Sequence, residues 1–599
     1  MVDQQKPNVI LIITDDQGYG DLGCTGNPWV QTPHIDALHG VSFRLADFHV
    51  SPLCTPTRGA LMTGKRPTRN GAWATCWGRS ILRKSELTTA DVFRHNGYRT
   101  AMFGKWHLGD NYPYRPFDRG FEHVVAHRGG GVGQTPDFWG NNYFDDTYFH
   151  NGAPVAHSGY CTDVWFDEAL RFIESHQDEP FFAYISTNAP HSPYLVEERY
   201  KQPYAGNPDI PEPAFYGMIT NIDENVGRLR HRLEEMNLAE NTILIFMTDN
   251  GSSGGCTLEG DEFVQQGYNA GMRGKKGSYY DGGHRVPFFI HWPAGGMVEG
   301  CDIDELTLHI DLLPTFIDLC DLDLPRDVAF DGVSLAPLLR DQAGVGYDPV
   351  DFNDRAHFVQ YRQSTEPPEK WTNAVMTRRW RLIRGRELYD MAADPGQQRD
   401  VAAESPDVVA RLRQAHEDWW AEIEPGLSDY CPISIGSDAE NPTRLDAMDV
   451  MGDVAWHQTH IVLAQKSTGR WTVDVERPGR YRFALRRWPE ELDLPIDEGV
   501  SPEEARRHIY ATEEGDCNTI EPTRAMLCLF AQDAEAGAGH LLRCPAPGRY
   551  ILPVHKGERE VTFEFRVEQT GVTELEAWFL DDDGEARGAY YVYVQRLGD

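Results

Sequence analysis

Apolar positions in the first half of the chain follow two alternating patterns. Asn8–Thr14 (NVILIIT), Thr242–Thr248 (TILIFMT) and residues 180–186 (PFFAYIS) are short continuous apolar runs. Such runs mark strands covered on both faces, as in a parallel sheet. Helical spacings lie between them. Residues 161–176 carry Val164, Leu170 and Ile173. Residues 213–236 carry Tyr216, Ile219, Ile222, Val226, Leu229, Leu233 and Met236 at intervals of three and four. This alternation predicts an α/β fold: a large, mostly parallel sheet sandwiched by helices.

The texture changes near Gly344. Short strands are expected over 355–361, 373–377 and 380–384, then a helix over 405–423 opened by Ser405-Pro406 as N-cap and first turn. Residues 425–446, rich in Pro, Gly, Ser and Asp, read as a linker. Beyond it the alternation has period two. Strands are expected over 470–476, 480–486, 550–555, 560–567, 574–580 and 589–594, with turns at Pro478-Gly479 and Pro547-Gly548. The expected division is a catalytic α/β unit over 1–345, a small α+β subdomain over 346–425 completing it, a linker over 426–446 and an appended β-sandwich over 447–599.

Composition narrows the class. The 599 residues are 40% hydrophobic and 25% charged, a globular profile. The 56 Lys+Arg against 92 Asp+Glu leave a net charge of −36, which argues against nucleic acid or an anionic membrane as partner. No apolar run approaches the ~18 residues needed to span a bilayer. Residues 1–8 are polar, without the basic and apolar regions of a secretory leader. The expected location is cytoplasmic, or periplasmic or extracellular if a leader has been removed. Eleven cysteines without a CxxC pair indicate neither a zinc ribbon nor a thioredoxin-type site.

Two of the apolar strands end alike, one in Asp15-Asp16 and the other in Asp249-Asn250-Gly251. Ligands collect beyond the carboxyl ends of such strands. Three carboxylates and an amide oxygen are hard ligands that suit Ca²⁺ or Mg²⁺ and suit Zn²⁺ poorly. Either pair alone reads first as a helix or turn cap. Two matching pairs favour a cation, because clustered carboxylates repel without one. A second feature is Cys54-Thr55-Pro56-Thr57-Arg58, with Thr63-Gly64 beyond. Thr55 and Pro56 are candidate N-cap and first residue of a helix. Cys54 at that N-terminus is then either a low-pKa thiolate nucleophile or a buried structural cysteine.

Cys54-Thr55-Pro56-Thr57-Arg58 with Thr63-Gly64 resembles the signature of the formylglycine-dependent sulfatases of the alkaline-phosphatase-like superfamily. The second family signature has its counterpart in Gly97-Tyr98-Arg99-Thr100-Ala101-Met102-Phe103-Gly104-Lys105-Trp106-His107-Leu108-Gly109. The resemblance covers about residues 7–425. It implies that Cys54 is oxidised to Cα-formylglycine by a separate formylglycine-generating or anaerobic sulfatase-maturing enzyme. One hydroxyl of the aldehyde hydrate then attacks sulfur and expels the alcohol, and deprotonation of the second releases sulfate. Asp15, Asp16, Asp249, Asn250 and the oxygen on residue 54 would hold the cation, Ca²⁺ in most of the family and less commonly Mg²⁺. Arg58 would hold the hydrate and Lys105 a sulfate oxygen. His107 would be the base, and His191, in Asn188-Ala189-Pro190-His191, would protonate the leaving oxygen. Lys276 would grip the sulfate. In its segment, Arg273-Gly274-Lys275-Lys276-Gly277, Lys275 stands where the family has glycine. Spacing to Gly282-Gly283 selects Lys276.

Residues 51–119 hold twelve Lys+Arg and four Asp+Glu, a net of +8, which predicts a basic pocket for a small anion or a basic surface. Trp73, Trp77, Arg79, Arg128 and Trp139 are candidates to line a sugar-binding mouth, or else core or interdomain residues. The leading expectation is a sulfuric ester hydrolase acting on a small sulfated substrate, a saccharide above all. The alternatives are a phosphonate or phosphate monoester hydrolase on the same site, and an unconverted, inactive glycan-binding relative.

Overall fold

A computed structural model describes residues 6–342, 355–507, 517–530, 548–582 and 585–598. The expected strands Asn8–Thr14, Phe181–Ser186 and Thr242–Thr248 are neighbours in a ten-stranded sheet. From one edge its order is Cys301–Leu308, Phe43–His49, Phe288–His291, Thr242–Thr248, Asn8–Thr14, Phe181–Ser186, Arg99–Lys105, His123–His127, Thr147–His150 and Ala153–Ala156. The five strands from Thr242–Thr248 to His123–His127 are mutually parallel. In this sheet only Phe288–His291 and Thr147–His150 oppose the common direction.

Both faces are covered, which is why the strands are apolar throughout. Val9, Leu11 and Ile13 face one core, shared with Val92 and Phe93 of Thr89–His95 and with Leu312, Leu313 and Phe316 of Leu312–Cys320. Ile10 and Ile12 face the other, against Val164, Leu170 and Ile173 of Cys161–Ser175 and Met218, Ile222, Val226, Leu229 and Leu233 of Pro213–Glu235. Residues Val9 to Ile13 are wholly buried, each contributing roughly 1.5–3 kcal/mol.

A small antiparallel sheet follows, in the order His357–Gln360, Asn373–Met376, Trp380–Ile383, Glu387–Asp390. Helix Pro406–Ile423 packs on it through Leu412, Trp419, Trp420 and Ile423. Pro406 opens that helix, but the Ser405 side chain makes no capping bond. The expected boundary at 345/346 lies outside the described residues.

Residues 425–446 are not a linker in the structure. They supply Ile433–Ile435 to one C-terminal sheet and Thr443–Asp446 to another. Short strands broken by Pro and Gly have too little periodicity to stand out from a loop. The first sheet runs Ile433–Ile435, Thr468–Val475, Gly571–Leu580, Arg524–Phe530, Gly548–Pro553. The second runs Thr443–Asp446, Tyr591–Gly598, Gly479–Arg486, Val561–Val567. Their facing residues, including Trp471, Val473, Leu575 and Phe579 against Tyr481, Phe483, Val592 and Val594, form one core. Ile81 and Tyr114 of the N-terminal unit join it. The ten described cysteines are unpaired. Among the described residues no helix is long and apolar enough to cross a membrane.

Candidate active site

Strand register assembles the site. Thr14 lies opposite Thr248, Ile13 opposite Ser186, and Gly104 opposite Ser186. Four adjacent parallel strands therefore end at one level, presenting Asp249, Asp15, Ser186 and Lys105 side by side. Helix Cys54–Thr63, buried along its whole length, aims its first turn at the same point. The helix begins at Cys54 with Leu53 at the N-cap position, two residues earlier than the Thr55 cap expected from sequence. The Thr55 hydroxyl instead reaches the His107 carbonyl at 3.4 Å.

Three carboxylates and three cations meet here. Ligand oxygens of Asp15, Asp16 and Asp249 lie within 4.8 Å of one another. Lys105 Nζ donates to Asp15 Oδ2 at 2.5 Å, and Lys276 Nζ to Asp16 Oδ2 at 2.7 Å. Arg58 donates to Asp249 Oδ2 through Nη2 (2.8 Å) and Nε (3.2 Å). Asp249 Oδ1 accepts from Asp16 N at 2.9 Å, and Asn250 Nδ2 donates to Asp16 Oδ1 at 3.0 Å. Burial and the Asp15 charge, opposed by Arg58, push the Asp249 carboxyl up to about 7. Burial also raises Asp16, but Lys276, His191 and Lys105 outweigh it and hold that carboxyl well below the usual range. Asp15 Oδ1 and Asn250 Oδ1 are buried without a hydrogen-bond partner. Buried orphan oxygens beside two further carboxylates fit a hard divalent cation.

Cys54 Sγ lies 3.5 Å from His107 Nδ1. Burial raises the Cys54 thiol although Lys105 and Lys276 favour its ionised form. Of the two readings of Cys54, the low-pKa thiolate is the one the structure disfavours, because desolvation outweighs the pull of both lysines. His107 Nε2 faces the Thr75 carbonyl at 3.0 Å, so that nitrogen carries the proton and Nδ1 keeps its lone pair toward residue 54. Burial, followed by Lys105, lowers His107 well below its ordinary value and keeps it neutral. His191 Nδ1 faces the Ser192 carbonyl at 2.5 Å, and its Nε2 lies 3.7 Å from Asp16 Oδ2. Burial lowers His191 to about 4 against the pull of Asp16. Asp16 and His107 both adopt positive φ (67° and 58°), a strained backbone typical of functional sites.

Every predicted site residue except Lys276 comes from a strand end, the helix start or the loops just beyond. Between the two neighbouring lysines the structure discriminates: Lys276 reaches Asp16, whereas Lys275 donates to the carbonyls of Cys256 (3.2 Å) and Ser253 (3.5 Å). Sequence reasoning missed Ser186. Its hydroxyl donates to the Lys105 carbonyl at 2.7 Å and accepts from Arg58 Nη1. Its position closing PFFAYIS, level with two acid-ended strands, was the available signal.

Among the candidates for a sugar-binding mouth, three take the core or interdomain alternative. Trp73, Arg79 and Trp139 are buried, and Trp139 packs edge-on to Trp488 of the C-terminal unit at 5.3 Å. Trp77 Nε1 donates to Gly452 O, and Arg128 lies over Phe149. The basic segment 51–119 is not one pocket. Arg58 and Lys105 face the site, while Lys65, Arg69, Arg83 and Arg99 pair with Glu86, Asp331, Asp429 and Glu179. A second cluster, buried His49, His284 and Asp281 with half-buried Asp47, is closed internally by Arg381, which donates to Asp281 at 2.9 Å.

A parallel sheet with acids at its strand ends, facing a helix N-terminus and flanked by lysine and histidine, defines a hydrolase of the alkaline-phosphatase-like fold. The sulfatase family model matches residues 7–322, and the model for the N-sulphoglucosamine sulphohydrolase C-terminal region matches 274–419. The chain belongs to the sulfatase family, whose members are sulfuric ester hydrolases. It is 30% identical to arylsulfatase A of Homo sapiens over 68% of this chain and 87% of that protein. It is 29% identical to N-acetylgalactosamine-6-O-sulfatase of Bacteroides thetaiotaomicron over 69% and 93%. The solved structure of Ps i-CgsB in complex with k-i-k-neocarrahexaose superposes with a TM-score of 0.60 at 26% identity, covering 69% of this chain and 93% of that one.

Proposed function

We propose that this protein hydrolyses the sulfate ester of a sulfated carbohydrate. The nucleophile is Cα-formylglycine made from Cys54 by a separate maturing enzyme, and Asp15, Asp16, Asp249 and Asn250 hold Ca²⁺. The observation that carries the reading is the balanced cluster of three carboxylates and three cations, Arg58, Lys105 and Lys276, around residue 54. A divalent ion added to a balanced set leaves the pocket positive, which suits an anionic ester. The cation, when bound, supplies positive charge to a sulfate oxygen and to the oxygen on residue 54. The formyl group supplies, as its hydrate, two hydroxyls on one carbon.

This chain's own residues do the rest. Lys105 and Lys276 bind sulfate oxygens, and Arg58 fixes the residue-54 side chain at one helical turn's distance. His107 Nδ1, with Nε2 anchored on Thr75, accepts a proton from residue 54. His191, with Nδ1 anchored on Ser192, delivers a proton from Nε2 to the leaving oxygen. A bound anion moves that imidazole toward its protonated form, against the lowering by burial. A saccharide substrate is supported by the N-acetylgalactosamine sulfatase relative and by the oligosaccharide in the Ps i-CgsB structure.

The test joins mass and rate. Conversion of Cys54 removes about 18 Da from the peptide that contains it. The converted protein is expected to cleave an aryl sulfate with higher kcat/KM than the matched aryl phosphate, and Cys54→Ala to lose turnover while keeping its fold. Full activity in Cys54→Ala removes residue 54 as nucleophile. Preference for the phosphate ester rejects the sulfatase reading.

A further inference from the structure

The C-terminal β-sandwich lies outside both family-matched segments, yet it grips the two loops that hold His107. One loop, residues 129–141, lies against the imidazole: a Cβ built on Gly130 would fall 2.3 Å from His107 Cε1 and 2.5 Å from Nε2. Gly130 N donates to Gln134 Oε1 at 2.7 Å, so the loop's own fold sets that contact. The loop is tied down from outside. Thr135 N donates to Trp456 O at 3.1 Å, and the Tyr591 hydroxyl to Thr135 O at 3.0 Å. Gln458, wholly buried, makes the densest set. Its backbone N donates to Gly133 O (3.2 Å), and its Nε2 reaches Gln134 O and Phe138 O (both 3.2 Å). Its Oε1 accepts from Gly140 N (3.0 Å).

The opposite side of the imidazole is held in the same way. Thr75 offers its carbonyl to His107 Nε2, and two residues on Trp77 N donates to Met448 O at 3.0 Å and Trp77 Nε1 to Gly452 O at 3.1 Å. His107 therefore sits between two loops, each fastened to the sandwich by buried and half-buried hydrogen bonds. A glutamine amide reaching the carbonyls of Gln134, Asp137 and Phe138 and accepting one N–H admits little loop movement. Displacements near 1 Å at a reacting group cost on the order of 100-fold in rate.

We propose that the β-sandwich is a working wall of the active site, and that Gln458 is a positioning residue that seats loop 129–141 on His107. The catalytic consequence rests on the role given to His107 above; the seating itself does not. The test compares the parent with Gln458→Ala, which orphans the Gly140 N–H and strips a donor from three loop carbonyls, and with Leu575→Ala, which cuts the sandwich core away from the loops. Two quantities are read below all unfolding midpoints: kcat and KM on a sulfate ester, and the rate at which diethyl pyrocarbonate modifies His107, followed by peptide mass.

Gln458→Ala is expected to lower kcat about 10-fold or more with KM within about threefold, and to speed His107 modification about 10-fold. Leu575→Ala is expected to leave both at parent values. Parent kcat in Gln458→Ala overturns the proposal, as does an equal loss in Leu575→Ala, which would mark a merely structural role. If the parent cleaves no sulfate ester, the functional reading fails, and His107 modification alone decides the seating: acceleration upholds it and an unchanged rate overturns it. If Gln458→Ala does not fold, Tyr591→Phe, which deletes only the bond to Thr135 O, carries the same test with a loss of about threefold expected.

Discussion

Ser186→Ala isolates one hydroxyl that orders two site residues. In the parent, Ser186 Oγ accepts from Arg58 Nη1 and donates to the Lys105 carbonyl at 2.7 Å, all three groups being buried. Alanine keeps the backbone register with Gly104 and Ile13 and removes only the oxygen. A hydrogen bond to a charged donor contributes about 1.5–3 kcal/mol, and a neutral one about 0.5–1.5 kcal/mol. Arg58 Nη1 keeps the Lys105 carbonyl at 3.3 Å as a second partner, so the loss is partly cushioned. The net effect expected is about 2–4 kcal/mol. Expressed in the transition state through Arg58 and Lys105, that is roughly a 30- to 1000-fold fall in kcat/KM. The assay is steady-state hydrolysis of an aryl sulfate by fully converted protein, with the unfolding midpoint measured in parallel. A kcat/KM within threefold of the parent refutes the reasoning, because it would mean that neither Arg58 nor the Lys105 strand end depends on this oxygen.

Other perturbations separate roles at the same site and beyond it. Asp249→Ala is expected to lower bound calcium, measured by elemental analysis, together with rate; unchanged stoichiometry removes Asp249 from the ligand set. Lys276→Met is expected to raise KM roughly 10- to 100-fold, whereas Lys275→Met, which loses only two backbone carbonyl contacts, stays within about threefold; equal effects would reverse the choice between the two lysines. Burial pushes the Asp223 carboxyl up to about 6, against hydrogen bonds from the backbone of Ile35 and His34. The folded state then binds that proton more tightly than the unfolded state, so stability falls as pH rises from about 4 to 6, by about 3 kcal/mol at most, and is level above. Asp223→Asn is expected to flatten that part of the midpoint-against-pH curve; an unaltered slope would acquit Asp223.

The elements legible in the sequence were those with a single dominant period. Asn8–Thr14 and Thr242–Thr248 were read to the residue, and the helix Pro213–Glu235 to within one, because full burial on both faces or on one stripe leaves no room for polar interruptions. Strands that escaped notice include the three- or four-residue Ile433–Ile435, Thr443–Asp446 and Glu387–Asp390, and also the longer Phe43–His49 and Cys301–Leu308, whose charged residues break the apolar run. The candidate site was legible wherever a motif fixed several residue types at once, as around Cys54 and Lys105. Ser186 carries no such motif, and nothing near Gln458 hints that it touches a loop more than 300 positions earlier.

The chemistry-bearing groups and the elements they ride on are written in the residues: acids closing two apolar strands, a cysteine opening a helix, lysine and histidine in one short run. Their partners came with packing. Strand register aligned Asp15, Asp249, Ser186 and Lys105 at one level, burial kept the Cys54 thiol protonated, and distant backbone carbonyls fixed the proton of His107. The physical reason is range. Periodicity and motif spacing record neighbours within a few residues, whereas register, desolvation and hydrogen-bond partners depend on groups that meet only when the chain is packed.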